Sequence, residues 1–318
     1  MSEQRFSANG KLLLTGEYLV LHGALALALP TRLGQSLAVE TMYISSLQWD
    51  AYTPNGSWFS ATLDPGALEV LHTDDEAKAQ KLSAILKSVK MLNPEALVPG
   101  LHFTTRLDFN PEWGLGSSST LLSILARWAH VDPYALLKQT FGGSGYDIAC
   151  ATASTPIFYH IESEHPVSSS ACFAPSFKDQ LFFVYLGKKQ HSSKEVKGFN
   201  ERWQEHDFRG DIETVSGISR SLPAVKTLPE FCDLIDAHED ILARCLGRKP
   251  VRASFPDFEG SLKSLGAWGG DFILAASPWP AEKVKRYFQS KGLDVIFGYH
   301  ELIANPDTEH NLYGTTLD

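Results

Sequence analysis

Residues 114–119 read Gly-Leu-Gly-Ser-Ser-Ser and run straight into Leu121–Ala129, where Ser123 and Arg127 are the only polar side chains. The first turn of a helix has N–H groups without intrahelical partners and carries the positive end of the helix dipole. Glycines let the backbone turn and approach a ligand closely. Serine hydroxyls add donors for phosphate oxygens or a ligand for Mg²⁺. Gly114, Leu115, Gly116, Ser117, Ser118 and Ser119 together form a candidate anion cradle, held by a helix apolar enough to be buried. A serine-capped core helix behind a glycine turn would be written in the same letters, and the motif alone leaves both readings open.

Better-known phosphate motifs do not fit. A dinucleotide fingerprint wants a third glycine where Ser119 stands. Neither Gly10-Lys11 nor Gly187-Lys188 sits in a GxxxxGK[ST] pattern, and the HRD and DFG triplets of protein kinases are missing from the sequence. Two other residues stand out. Lys11 lies on an apolar strand-like segment, where a lysine is unusual unless paired. Asp147 lies among small residues, where an isolated aspartate would ordinarily form a turn. Lys188, Lys189, His191 and Lys194 make a basic cluster that fits either an anionic ligand or a solvated loop.

Several elements must position these residues. Residues 11–21, 24–30, 35–43 and 101–109 are strand-like, and Asn55-Gly56 marks a hairpin turn. Leu82, Ile85, Leu86, Val89 and Leu92 recur at helical spacing. Asp132 followed by Pro133 predicts a capped helix start. The stretch 163–180 turns polar, small and proline-containing, and a domain change is expected near residues 165–180, giving domains 1–170 and 171–318. In the second half, 181–187, 270–277 and 293–303 read as strands. The segments 228–247 and 280–292 read as helices, the first with Phe231, Leu234, Ile235, His238, Ile241 and Leu242 on one side. Strands alternating with helices predict an α+β fold in both halves.

Composition sets the outer limits. The chain has 318 residues, 43% hydrophobic and 20% charged, long enough for two cores. A net charge of −9 argues against a general nucleic-acid binder, without excluding a small anion. Four scattered cysteines with no CxxC pair imply reduced thiols and a cytoplasmic location. No apolar run is long enough to span a bilayer, and the N-terminus lacks the order of a signal peptide. The expected partners are a small-molecule acceptor, neither nucleic acid nor membrane, and at most a second copy of the chain.

The glycine–serine motif, with Pro111 ahead of it, resembles the second signature of the GHMP small-molecule kinases. Three more segments are similar to that family's motifs, in the family's order. Residues 10–23 resemble the N-terminal signature, with Asn9 where a proline is usual. Residues 142–151 resemble the G-S-G-x-D motif. Residues 263–275 resemble the C-terminal lysine and glycine-rich loop, with Trp268 where a glycine is usual. Residues 187–196 are a weaker match to the serine/threonine–lysine segment of mevalonate-pathway kinases.

This resemblance implies a two-domain GHMP-kinase fold: an N-terminal domain like ribosomal protein S5 domain 2 and a ferredoxin-like C-terminal domain. It implies ATP and Mg²⁺, with the glycine–serine loop on the phosphates and Ser118 on the metal. Lys11 and Asp147 become the catalytic pair. Asp147 would orient the acceptor or take its proton, and Lys11 would keep Asp147 ionised and neutralise the transferring phosphoryl group. Glu17, Lys188, Lys194, Gly266 and Ala267 become acceptor-side residues. The family's second metal-binding glutamate has no counterpart, since Leu136, Leu137, Lys138 and Gln139 occupy that helix. Gly-Glu-Tyr at 16–18 and the form of 263–271 are more similar to phosphomevalonate kinase than to mevalonate kinase. A kinase for another small alcohol or sugar, or a non-catalytic ligand-binding relative, is the alternative.

Overall fold

The structure, a computed structural model, describes residues 3–188, 192–266, 268 and 270–304. The chain forms two compact units that interleave in sequence. The first comprises Met1–Gly10, Leu33–Pro111 and Leu115–Thr152. The second comprises Lys11–Arg32, Glu112–Gly114 and Ala153–Asp318. The chain passes between them several times, where the sequence suggested one change near residues 165–180. Two strands serve both units. These are β1 (Gln4–Thr15) and β2 (Ala26–Thr41), and they pair with each other.

In the first unit follow β3 (Leu47–Thr53), β4 (Gly56–Leu63), β5 (Val70–Thr73), α1 (Glu76–Leu92), β6 (Leu101–Leu107), α2 (Ser117–Ala129), α3 (Pro133–Thr140) and α4 (Tyr146–Thr152). The strand order is β5-β4-β3-β6-β2, with β3 and β6 parallel and the other pairs antiparallel. The hairpin forms at Asn55-Gly56, with Thr53 opposite Gly56. Leu47, Trp49 and Ala51 of β3 are buried while the residues between them are half-exposed, so this sheet turns one apolar face inward. Leu82, Ile85, Leu86 and Val89 of α1 cover that face, as their spacing predicts. Phe103 stacks on Trp49 at 5.2 Å and meets the Trp128 ring edge-on at 4.9 Å, which fixes α2 to the sheet. Asp132 caps α3, accepting from the N–H groups of Tyr134 (2.7 Å) and Ala135 (3.0 Å).

In the second unit follow β7 (Ile157–Glu162), β8 (His165–Ser170), β9 (Leu181–Tyr185), α5 (Ser192–Glu205), α6 (Arg209–Ser221), α7 (Leu228–Leu246), β10 (Ser261–Ser264), β11 (Phe272–Ala276), α8 (Ala281–Ser290), β12 (Ile296–Gly298) and α9 (Tyr299–Leu302). Strands β10-β11-β9-β12 form an antiparallel sheet whose central strands are buried along their length. A second ladder joins β8 to β7 and β7 to Ala26–Ala28 of β2.

Three expectations are corrected. The strand expected over 11–21 stops at Thr15, because Gly16 (φ 90°) and Tyr18 (φ 62°) both take left-handed backbone; a short 3₁₀ turn, Leu19–His22, follows. The polar stretch from 165 contains β8, folded back on β7 through Ser163 and Glu164, both at positive φ as a tight hairpin requires. The strand expected over 293–303 is three residues long and gives way to α9. Among the described residues, no helix is long and apolar enough to cross a membrane.

Candidate functional site

The first unit carries the glycine–serine turn from Leu115 on. Gly116 (φ 95°) is the N-cap of α2, and its carbonyl accepts the first helical bond, from Thr120 N at 2.9 Å. The N–H groups of the first turn, including those of Ser117 and Ser118, therefore have no partner within the helix and point out of its positive end. Ser118 is exposed and Ser117 half-buried. Ser119 faces inward at 3% exposure, and its hydroxyl donates to Gly116 O at 2.9 Å, closing the turn. The Leu115 side chain is fully buried, so only its backbone is left to face a ligand. Thr120 Oγ1 donates to Gln35 Oε1 at 2.7 Å, tying the helix start to β2. This geometry suits an anion that takes backbone N–H groups and one free hydroxyl.

Asp147 stands in the first turn of α4, half-buried, with Oδ1 accepting from Ile148 N at 3.1 Å. Burial and the nearby Asp147 charge push the Tyr134 phenol up from its ordinary value. The helix α3 presents no acid, as its sequence indicates.

The second unit carries Lys11, half-buried on β1, and the turn that follows it. Glu17 lies at 1% exposure and forms an ion pair with Lys263 Nζ, itself fully buried. Lys263 Nζ also donates to Ser264 O at 2.7 Å. The second oxygen of Glu17 has no hydrogen-bond partner and lies 3.5 Å from His238 Nε2. That nitrogen accepts from Gly16 N at 2.9 Å, so His238 is neutral with its proton on Nδ1. Burial and Lys263 hold its pKa well below the ordinary histidine value. Burial pushes Glu17 up to about 7, against the pull of Lys263. Glu239, also fully buried, accepts from Val251 N (2.9 Å), Ser264 N (3.0 Å) and Ser264 Oγ (3.1 Å), and burial raises its pKa too.

The sequence placed Glu17 at the acceptor. Its carboxylate is instead engaged by Lys263 beneath the Gly16–Tyr18 turn, because a charge this deep requires a buried partner. Lys188 is exposed, and its carbonyl accepts from Asp271 N at 2.7 Å. Lys194 falls in α5. Gly266 is described, with φ 69°. Ala267, Gly269, Lys189 and His191 lie outside the described residues.

Gly114 packs against Asp271. A Cβ at Gly114 would lie 2.5 Å from the Asp271 carboxyl carbon, and Asp271 is itself at φ 45° and 7% exposure. Trp113, beside it, sits among Tyr185, Phe272 and Phe297, with ring centroids 5.4–6.4 Å apart. Trp268 is buried at 3% exposure, its ring turned into the unit.

The structure thus brings the N-terminal signature (Glu17, Tyr18) to the C-terminal one (Lys263, Trp268) within one unit. Sequence reasoning passed over His238 as a face-filling residue of α7 and did not weigh Glu239 beside it. The available signal was a histidine–glutamate pair on the apolar side of a helix, with an unpaired lysine elsewhere.

No protein family model matches the chain, and no curated protein matches it in sequence. Solved structures do match in fold. The mevalonate kinase of Methanococcus jannaschii is 14% identical, with a TM-score of 0.70 over 96% of this chain and 99% of that one. The Streptococcus pneumoniae phosphomevalonate kinase, in complex with phosphomevalonate and AMPPNP, is 14% identical at TM-score 0.68, covering 94% of this chain and 100% of that one. The Lactococcus lactis galactokinase, complexed with galactose, is 13% identical at TM-score 0.66 over 93% of each chain. Kinases for different acceptors share this architecture from end to end, and the chain has the fold of the GHMP small-molecule kinases.

Proposed function

We propose that the chain is an ATP-dependent phosphotransferase acting on a small acceptor of the mevalonate group, with phosphomevalonate ahead of mevalonate. The observation that carries this reading is the start of α2. A left-handed glycine, unpaired helical N–H groups and the exposed hydroxyl of Ser118 sit where the sequence resembles a triphosphate loop. Ser117 and Ser118 would hold phosphate oxygens through backbone N–H groups. Ser118 Oγ suits a Mg²⁺ ion that takes its other oxygens from phosphates and water, the hard ligand set it prefers. Bound Mg²⁺ would neutralise charge on the transferring group.

In this reading Asp147 orients the acceptor, whose oxygen bonds to the γ-phosphorus as the bond to the ADP oxygen breaks. With an alcohol acceptor, Asp147 takes the released proton or directs it to water. Lys11 stabilises charge on the phosphoryl group. Lys188 and Lys194 would favour a phosphorylated acceptor. Glu17 supports the turn beside Lys11 rather than touching the acceptor. The Gly-Glu-Tyr form of residues 16–18 and the form of residues 263–271 support the acceptor preference. One observation favours a second reading: α3 has no acid where the family has a second metal ligand, which suits a binding relative.

The test is ADP release against mevalonate, phosphomevalonate, homoserine and hexoses. Turnover is expected with phosphomevalonate and is expected to vanish in Asp147→Asn. Lys11→Ala and Ser118→Ala should each slow it at least about tenfold, about 1.4 kcal/mol in the barrier. ATP binding with no turnover on any acceptor would sink the kinase in favour of the binding relative.

A further inference from the structure

Four ionisable side chains are buried together beneath the Gly16–Tyr18 turn. They are Glu17, Lys263 of β10, and His238 and Glu239 of α7, none more than 1% exposed. With both carboxyl groups ionised, the single lysine would leave the cluster with a net negative charge. A buried charge without a partner is costly, and a buried site relieves it by keeping a proton. The hydrogen bonds say which group keeps it. Glu239 has donors on both oxygens: Val251 N and Ser264 Oγ on Oε1, and Ser264 N on Oε2. Glu17 Oε1 takes Lys263 Nζ, whereas nothing donates to Glu17 Oε2. That oxygen is the carboxyl position of the cluster left open to a proton.

Its neighbour is His238. Glu17 Oε2 lies 3.5 Å from Nε2, too far for a good hydrogen bond as the ring stands. Nε2 already accepts from Gly16 N at 2.9 Å, and Nδ1 has no partner. The ring thus faces two duties that exclude each other. With its proton on Nδ1, it holds the Gly16 amide. With its proton on Nε2, it could donate to Glu17 but could not accept from Gly16. Nδ1 is unpaired either way, so the choice is made on the Nε2 side, and an ionised Glu17 favours the second arrangement.

We infer that Glu17 and His238 form a proton-linked switch on the Gly16 amide. While Glu17 Oε2 carries a proton, the imidazole keeps its own on Nδ1 and holds Gly16. When the Glu17 proton leaves to solvent, the imidazole proton passes from Nδ1 to Nε2 and is donated to the Glu17 carboxylate. The Gly16 N–H is then let go. One proton is lost overall, and the ring is neutral in both states. Gly16 follows the last residue of β1, so the strand that carries Lys11 loses an anchor at its end. Burial pushes Glu17 up to about 7, which places the change near neutrality, while burial and Lys263 keep the imidazole from charging. The other groups facing the pair are accounted for. Lys263 is the counter-ion of Glu17, and Glu239 is held by its three donors. The Tyr18 phenol, which accepts from Trp268 N at 3.1 Å, is raised to about 12 and adds no charge. Ser219 of α6 meets the end of β1 with a neutral hydroxyl, 2.7 Å from Thr15 Oγ1. The switch does not depend on the phosphotransferase reading; where that reading holds, it acts on the strand bearing Lys11.

The test is the tautomer of His238 in the full-length protein, read from long-range proton–nitrogen correlations of its ring as pH is raised. The Nδ1–H pattern is expected below about pH 7 and the Nε2–H pattern above it. Over the same range, exchange of the Gly16 amide, corrected for its intrinsic pH dependence, should quicken at least about tenfold. Glu17→Gln cannot ionise and should keep the Nδ1–H pattern and a slow Gly16 amide throughout. If that variant proves too unstable to measure, the infrared band of a protonated carboxyl in the native chain serves instead, and it should vanish as the tautomer changes. A single His238 tautomer in the folded native chain between about pH 5 and 8 overturns the switch. So does a tautomer change that persists in Glu17→Gln, or an infrared band that stays. A tautomer change in a chain that turns over no acceptor would remove the catalytic reading and leave the switch standing.

Discussion

The two units treat buried polarity in opposite ways. Among the described residues, the buried polar side chains of the first unit are Gln35, Ser83, Ser88, Thr105, Ser119, Thr120 and Ser123, all neutral. Those of the second include Glu17, Glu239, Lys263 and Asp271. The first unit builds its candidate anion cradle from backbone N–H groups at the start of α2 and from neutral hydroxyls. The second holds its signature turns with charges that depend on one another. Burying a charge is expensive unless it is paired, and an established pair is far more costly to break than to do without. The difference teaches that the part resembling a phosphate loop can be locally robust, while the part that holds the Gly16–Tyr18 turn is cooperative.

The largest test of that contrast is Lys263→Met. It strands Glu17 and Glu239 without their cation and should lower stability by about 3–5 kcal/mol in chemical denaturation. Adding Glu17→Gln should recover much of the loss, and an additive double-mutant cycle would show that the two residues are not coupled. The pH dependence follows from the same group. Burial raises Glu17 to about 7 from its ordinary value near 4.5, so the native state holds its proton where the unfolded chain has released it. Its contribution is fully present below about pH 4.5 and fades as pH rises through 7. The stability difference between the native chain and Glu17→Gln should therefore shift against the native chain over that range. A flat difference between pH 4.5 and 8 would mean Glu17 does not titrate there.

Gly114→Ala comes next. The new Cβ meets the Asp271 carboxyl at 2.5 Å with φ at 70°, and a loss of about 1–3 kcal/mol is expected from the strain. Asp271→Ala in the same chain should return part of it. The smallest effect is expected in the neutral unit. Thr120→Val removes the hydrogen bond to Gln35 and should cost about 1 kcal/mol, read as a small shift in the denaturation midpoint. A Thr120→Val loss as large as that of Lys263→Met would erase the contrast between the units.

What was legible in the sequence follows the physics of each element. The helices α1 and α3 could be read because periodicity and an Asp-Pro cap are local signals, and the Asn55-Gly56 hairpin because its turn chemistry is local too. The start of α2 was legible for the same reason: Gly116 and three serines specify a helix end without reference to anything distant. The helix α6 was not read, because it buries only Val215, Ile218 and Ser219 and shows a thin apolar stripe. The expected single strand over 11–21 failed at Tyr18, a residue that takes left-handed backbone only under tertiary constraint. The same holds for the site. Lys263 and Glu17 are 246 positions apart, and no local pattern announces that each is the other's counter-ion. Spacing can nominate charged residues in a buried segment; it cannot say which of them neutralise one another.

Trp268 carries a consequence for how this chain can change. With its ring at 3% exposure and its N–H and C=O both held, a single exchange to the glycine usual at that place would open a void the size of an indole and loosen both bonds at once. A glycine at 268 would be tolerated only together with larger neighbouring side chains that fill the space the indole now takes.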